Sequence, residues 1–108
     1  MSNRIRIEDI EGLRREAGID DVDLRKAIGR LRPGDFVHLT FRAGTCSPET
    51  LLVRVTTINS ANYEGELAQS PLTASLQTLH IGSAMSFAAT HIHSMAVGPP
   101  KHAAAKAH

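Results

Sequence analysis

The spacing of apolar residues changes near Pro33, and this change most constrains what the chain can fold into. Before Pro33, apolar side chains recur every three or four residues, as in Leu24, Ile28 and Leu31, which is the period of an amphipathic helix. From Phe36 onward apolar and polar residues alternate, which is typical of a half-buried strand. The sequence therefore predicts a helical N-terminal part followed by a β-sheet.

Two short helices are predicted in residues 1–34, over about 7–17 and 21–31. Gly18 favours the end of the first helix, because glycine readily adopts the left-handed conformation that closes a helix. Pro33 favours the end of the second, because proline has no backbone N–H to continue it. This segment is predicted to be an N-terminal extension that covers one open side of the sheet.

Five short strands are predicted in residues 35–96, and a tail without apolar periodicity follows at 97–108. Strict alternation after Phe87 would turn Ile92 outward, so a bulge or a single 3₁₀ turn at 88–90 is expected to restore the phase. The predicted fold class is α+β: a five-stranded SH3-like small β-barrel preceded by two short N-terminal helices.

The long connection between the third and fourth predicted strands contains Pro71, which is expected to interrupt the sheet. Three leucines of this connection, Leu72, Leu76 and Leu79, are predicted to pack onto the core. The connection is thus interpreted as a joint between strands, without a functional site of its own.

Four stretches follow one another in residues 33–95, with the sequences PGDFVHLTF, LLVRV, YEGELAQSP and LHIGSAMSFAATHI. In their order and spacing the chain resembles a bacterial domain family of unknown function known as YegJ-like. The resemblance implies a small SH3-like barrel. It brings no catalytic residues with it and leaves the function open.

Composition excludes several classes of protein. The net charge of +1 gives no overall attraction to nucleic acid or membrane. The single cysteine, Cys46, cannot form an intramolecular disulfide and fits a reducing compartment. The N-terminal residues lack the apolar core of a signal peptide, and no run approaches the roughly 20 apolar residues that cross a bilayer. A soluble, cytoplasmic protein is predicted.

Three histidines, His80, His91 and His93, are the candidate metal ligands. His91 and His93 would share one face of a strand, and a third ligand such as His38 or Cys46 would complete a zinc shell. The C-x-x-C and H-x₃-H spacings of common zinc sites are missing. Exposed histidines on an edge strand are therefore the favoured interpretation, and no metal or cofactor is predicted.

The outside of the first two strands is a candidate binding face. His38, Arg42 and Arg54 could line it, and Phe36 and Tyr63 are the rings that could complete the binding face, although Tyr63 is also interpreted as a structural residue of the third strand. The two arginines and the histidine could contact phosphates, and the two rings could stack on bases, as a nucleic-acid-binding barrel requires. The favoured alternative is a solvated sheet face.

Enzymatic chemistry is not predicted, and no catalytic residue is assigned. A nucleophilic cysteine needs a base and an orienting partner, and Cys46 has only Glu49 nearby in sequence. An unreactive loop thiol is therefore favoured over a thiol- or metal-dependent enzyme.

The leading hypothesis is a small non-enzymatic module that binds another protein or a second copy of itself. This hypothesis is based on a pair of amphipathic helices beside a barrel with a small core, whose strand edges would otherwise be exposed. An accessory or immunity-like protein of a mobile element would fit this build. A nucleic-acid-binding SH3-like barrel is the first alternative, and a metal- or thiol-dependent enzyme is the second.

Overall fold

The computed structural model describes residues 4–97, in which six strands, two α-helices and two 3₁₀ turns follow one another. The first part of the chain forms β1 (Ile5–Ile7), α1 (Ile10–Glu16) and α2 (Val22–Ile28). The second part forms β2 (Phe36–Ala43), β3 (Glu49–Asn59), β4 (Asn62–Leu67), the first 3₁₀ turn (Ala74–Leu76), β5 (Ala84–Ala88), the second 3₁₀ turn (Ala89–His91) and β6 (Ile92–Ala96). The predicted tail lies outside the described residues from position 98 onward.

Strands β2 to β6 form a nearly closed antiparallel barrel in the order β6–β2–β3–β4–β5. One edge of β2 pairs with β3. The other edge pairs with β6 through residues 36–39 and with β1 through residues 41–43. The second 3₁₀ turn carries the chain from β5 to β6, so that the last strand returns beside the first strand of the barrel. The prediction of a small α+β domain with a five-strand barrel and two short helices is confirmed.

The barrel interior is filled by the apolar residues that the alternation marks. Val37, Leu39, Val53 and Val55 are fully buried, and Phe87 is nearly so. The 3₁₀ turn before β6 confirms the predicted change of phase, because it places Ile92 inside the core.

The first helix begins later than predicted. Ile7 lies in β1, where Ile5 and Ile7 alternate with Arg6 and the strand pairs with β2. The helix can begin only after Asp9, whose carboxylate accepts the N–H of Gly12 at 2.9 Å and caps it. The prediction of a helix from residue 7 is therefore wrong, since β pairing decides the conformation of residues 5–7.

The second helix begins where the sequence predicts but ends earlier. Asp21 caps it by accepting the N–H of Leu24 at 3.0 Å. The helix ends at Ile28 rather than near residue 31, although Leu31 still packs into the core.

The connection between β4 and β5 follows the prediction in part. Leu76 is fully buried and Leu79 packs against the core, but Leu72 is 87% exposed. The prediction that Leu72 packs inward is wrong because Pro71 occupies the buried position and the following side chain points the other way. No helix within residues 4–97 is long and apolar enough to span a bilayer.

Candidate functional site

A groove of about 320 Å³ lies between α1, α2 and the second 3₁₀ turn. Apolar side chains line part of it: Ile19, Leu24, Ile28, Ala89 and Ile92. Charged side chains line the rest: Glu11, Arg14, Arg15, Asp20, Asp21 and Arg25. The groove thus has an apolar floor and a charged rim, which is the usual composition of a binding cleft.

The groove exists because two capped helices meet through a sharp reversal. Gly18 adopts a positive φ of 77°, which glycine tolerates without strain. The N–H of Ile19 then donates to the carbonyl of Arg14 at 2.7 Å and folds the connection back on α1. As a result, Ile19 forms one wall of the groove with 55% of its surface exposed.

The charges of the rim are paired with one another. Arg15 contacts Glu11 at 2.6 Å, one helical turn away. Arg25 contacts Asp20 at 2.6 Å, and Arg14 lies 3.7 Å from Asp21. Pairs at a protein surface each contribute about 0–1 kcal/mol, so their main effect is to leave the rim without net charge.

Arg14 also fastens α1 to the barrel. Its Nη2 donates to the backbone carbonyl of His93 on β6 at 2.9 Å, and its side chain is only 24% exposed. One guanidinium therefore belongs both to the groove and to the contact between helix and sheet.

The carbonyl that Arg14 binds belongs to an irregular position in β6. Leu39 pairs with Ile92 and His38 pairs with Ser94, so His93 is an extra residue opposite β2. Bulges of this kind redirect side chains at the edge of a sheet. Nδ1 of His93 lies 3.0 Å from Oγ of Ser94, and Nδ1 of His38 lies 3.2 Å from the same oxygen.

Protonation of His93 is disfavoured in the folded protein. Burial of the ring lowers the pKa of His93, and the nearby charges of Arg14 and His38 lower it further. The neutral imidazole is therefore the form that this environment selects.

The candidate metal ligands do not assemble. His80 is exposed in the turn before β5, whereas Nδ1 of His91 accepts the N–H of Ala88 at 2.9 Å. His93 belongs to the pair with Ser94 just described. Across residues 4–97, no group of three or more histidine, cysteine, aspartate or glutamate side chains is placed to hold a metal ion.

Four of the five residues of the predicted binding face lie on the outside of the sheet. Phe36 is the cross-strand partner of Arg54, whose Nη2 contacts Glu66 at 3.0 Å. His38 faces Ser94, and Nε of Arg42 donates to Glu8 at 3.2 Å. Both arginines are thus engaged within the protein, and a binding role for these four residues stays a prediction.

Tyr63 does not belong to this face. It is 6% exposed and stacks on Phe87 with ring centroids 5.6 Å apart. Tyr63 shares the inner side of β4 with Gly65 and Leu67, because alternate residues of a strand face the same way. The buried ring fits the interpretation of Tyr63 as a structural residue, and it is not available to stack on a base as the predicted binding face requires.

The groove itself was not foreseen from the sequence. One signal could have pointed to it: Arg14 follows the buried Ile10 by four residues, so a cation falls on the side of α1 that meets the barrel. No comparable signal marks Ser94 or Ala89.

Neither a family model, nor a curated protein, nor a solved structure matches this chain. The case for its function therefore comes from its own residues.

Proposed function

We propose that the protein is a non-enzymatic binding module that docks an apolar, uncharged segment of a partner protein in the groove between α1 and α2. The observation that carries the proposal is the composition of the groove, where an apolar floor is surrounded by a rim whose charges are already paired. The scaffold in this proposal is an SH3-like barrel of the YegJ-like type, working in the cytoplasm.

The barrel supports the SH3-like part of the proposal by its connections. The last strand pairs with the first strand of the barrel, and a 3₁₀ turn precedes it. Such a scaffold places Ala89 and the buried Ile92 in the groove before a partner binds, and a pre-formed site lowers the entropic cost of binding.

The chemistry of the rim favours an uncharged segment over a charged one. An acidic or basic ligand would have to displace existing contacts, such as that of Arg15 with Glu11 at 2.6 Å. An apolar side chain instead covers Ile19 and Leu24, and burial of such surface yields about 25 cal/mol per Å². The volume, about 320 Å³, lies at the lower end of ligand pockets, about 300–1,000 Å³, and therefore suits one or two large side chains.

The test is peptide display on the wild-type protein with counter-selection on an Ile19→Glu variant. We expect the enriched peptides to carry one or two large apolar residues without a consistent charge. We also expect Ile19→Glu to weaken the binding of the best peptide at least about tenfold, or 1.4 kcal/mol, because it places a carboxylate in the apolar wall. Fluorescence anisotropy measures the affinity.

Ile81→Glu is the matched control. Ile81 is an isoleucine of similar exposure, 61% against 55% for Ile19, and it does not line the groove. Its substitution should change the affinity less than twofold. The proposal would be contradicted if no peptide were enriched, or if both variants weakened binding equally. It would also be contradicted if NMR with the bound peptide shifted only amide signals on the outer face of β2 and β3.

A further inference from the structure

We infer that the groove is sensitive to pH. Protonation of His93 loosens α1 from β6 and thereby weakens the binding of a partner segment in the groove between α1 and α2. The inference concerns regulation of the same groove and rests on the proposed function for its consequence, although not for its structural part. It is carried by the contact between Arg14 and the bulged His93.

Arg14 connects the groove directly to His93. Arg14 lines the groove and its Nη2 holds the His93 carbonyl at 2.9 Å. Glu11 and Arg15, which also line the groove, lie on the same helix. A movement of α1 away from β6 would therefore displace one whole wall of the groove.

The hydrogen bonds around Ser94 can accommodate one added proton. A cationic His93 must donate from Nδ1, and Ser94 Oγ can accept that bond while its own hydrogen points to Nδ1 of His38. One proton on His93 can thus be accommodated without loss of a hydrogen bond, and it is opposed by burial of the ring and then by the charge of Arg14.

The charged and titratable groups that face His93 are mostly basic. Arg14 faces it from α1 and His38 faces it from β2. The nearby acid is Asp21, which caps α2, lies 3.7 Å from Arg14 and offsets part of that charge. Among residues 4–97, no carboxylate lies within 4.0 Å of a His93 ring nitrogen. A proton on His93 therefore adds a cation beside a cation, and the contact between Arg14 and β6 is weakened.

The sign of the effect follows from linkage. The pKa of His93 is lowered when α1 is docked, by burial and then by Arg14 and His38, so a conformation with α1 detached binds the proton more readily. Docking of α1 is thus favoured at neutral pH and loses stability as the pH falls below the ordinary value of 6.5. The loss is complete once the pH lies below the lowered pKa.

The structural test needs no partner. The full chain is labelled with ¹³C and ¹⁵N, and the pH of the solution is lowered from 8 to 5. NMR signals of the His93 ring and of the amides of Glu11 to Arg15 are followed during this titration. We expect these amides to titrate with the midpoint of His93, below 6.5. His93→Gln should abolish their titration, whereas His91→Gln, which alters the neighbouring histidine, should leave it in place.

Amides that do not titrate, or that titrate equally in His93→Gln, would overturn the inference. If His93→Gln fails to fold, Arg14→Gln provides a second measurement. Loss of the guanidinium should raise the midpoint of His93 toward its ordinary value, and an unchanged midpoint would contradict the coupling.

The functional test uses the peptide selected above. Its dissociation constant should rise about fivefold or more between pH 7.5 and 5.5, a typical size for coupling between two sites, and less than twofold in His93→Gln. If no peptide binds, the proposed function fails while the NMR titration still decides the pH response. If a peptide binds with the same pH dependence in both proteins, the proposed function stands and this inference fails.

Discussion

At the scale of single residues, Gly65 is a position where the barrel leaves no room for a side chain. A methyl group there would lie 2.7 Å from the carbonyl oxygen of Arg54 and 2.8 Å from Cγ1 of Val53. Gly65→Ala should therefore lower the free energy of unfolding by about 1–3 kcal/mol, measured by urea denaturation. Gly29→Ala is the control, because its nearest contact would be 3.5 Å and its φ is −64°. A Gly65→Ala protein as stable as wild type would show that β4 can shift.

The burial of single side chains could be predicted where a strand imposes alternation, and it was harder to predict in irregular segments. Val37, Val53 and Phe87 are buried as the period of two predicts. Leu72 is not, because it lies in an irregular connection where no period assigns a direction. Its conformation depends on Glu49, a residue 23 positions earlier whose carboxylate accepts its N–H at 3.0 Å. Such a contact has no local signature in the sequence.

At the scale of elements, Glu49 fastens the long connection between β4 and β5 to the start of β3. Burial works to raise the pKa of Glu49, but the N–H groups of Leu72 and Thr73 outweigh it, and the pKa is lowered below 4.5. The unfolded chain thus takes up the proton more readily. The stabilisation is complete above about pH 4.5 and is lost as the pH falls through the lowered pKa.

Glu49→Gln should therefore lower the melting temperature by a few degrees at pH 7, and the difference from wild type should shrink as the pH falls to 3. Thermal unfolding followed by circular dichroism measures it. Glu64→Gln, at an exposed glutamate of β4, should show no such convergence. A constant difference across this range would mean that the ionised carboxylate is not what holds the connection.

Elements were predictable where a residue encodes their limits. Asp21 is a good helix cap, and α2 begins directly after it. The 3₁₀ turn before β6 follows from the phase of Phe87 and Ile92. The strand β1 was missed because its three residues become a strand only by pairing with Phe41–Ala43, a partner that lies more than thirty positions away.

At the scale of the whole molecule, the change of period at Pro33 predicted helices followed by a sheet, whereas the sequence held only one signal for the groove, the cation at Arg14 four residues after Ile10. Its walls come from residues 11–15, 19–28 and 89–92, which are separate in the sequence. Their relative placement depends on the burial of Ile10 and on the bond from Arg14 to the His93 carbonyl. Neither is visible until helix and sheet are assembled. That the barrel is SH3-like stays a prediction.

This arrangement predicts that α1 can detach and unfold locally while the barrel stays folded. Ile10 is buried but lies apart from the main core cluster, whereas Phe87 belongs to that cluster. Ile10→Ala should therefore increase hydrogen exchange at the amides of α1 by at least about tenfold, or 1.4 kcal/mol, while Val53 and Val55 on β3 keep their protection. Phe87→Ala should cost about 3–5 kcal/mol and reduce protection throughout. If Ile10→Ala lowered the protection of β3 as much as that of α1, helix and barrel would unfold as one unit. Movement of α1 alone could then not open the groove.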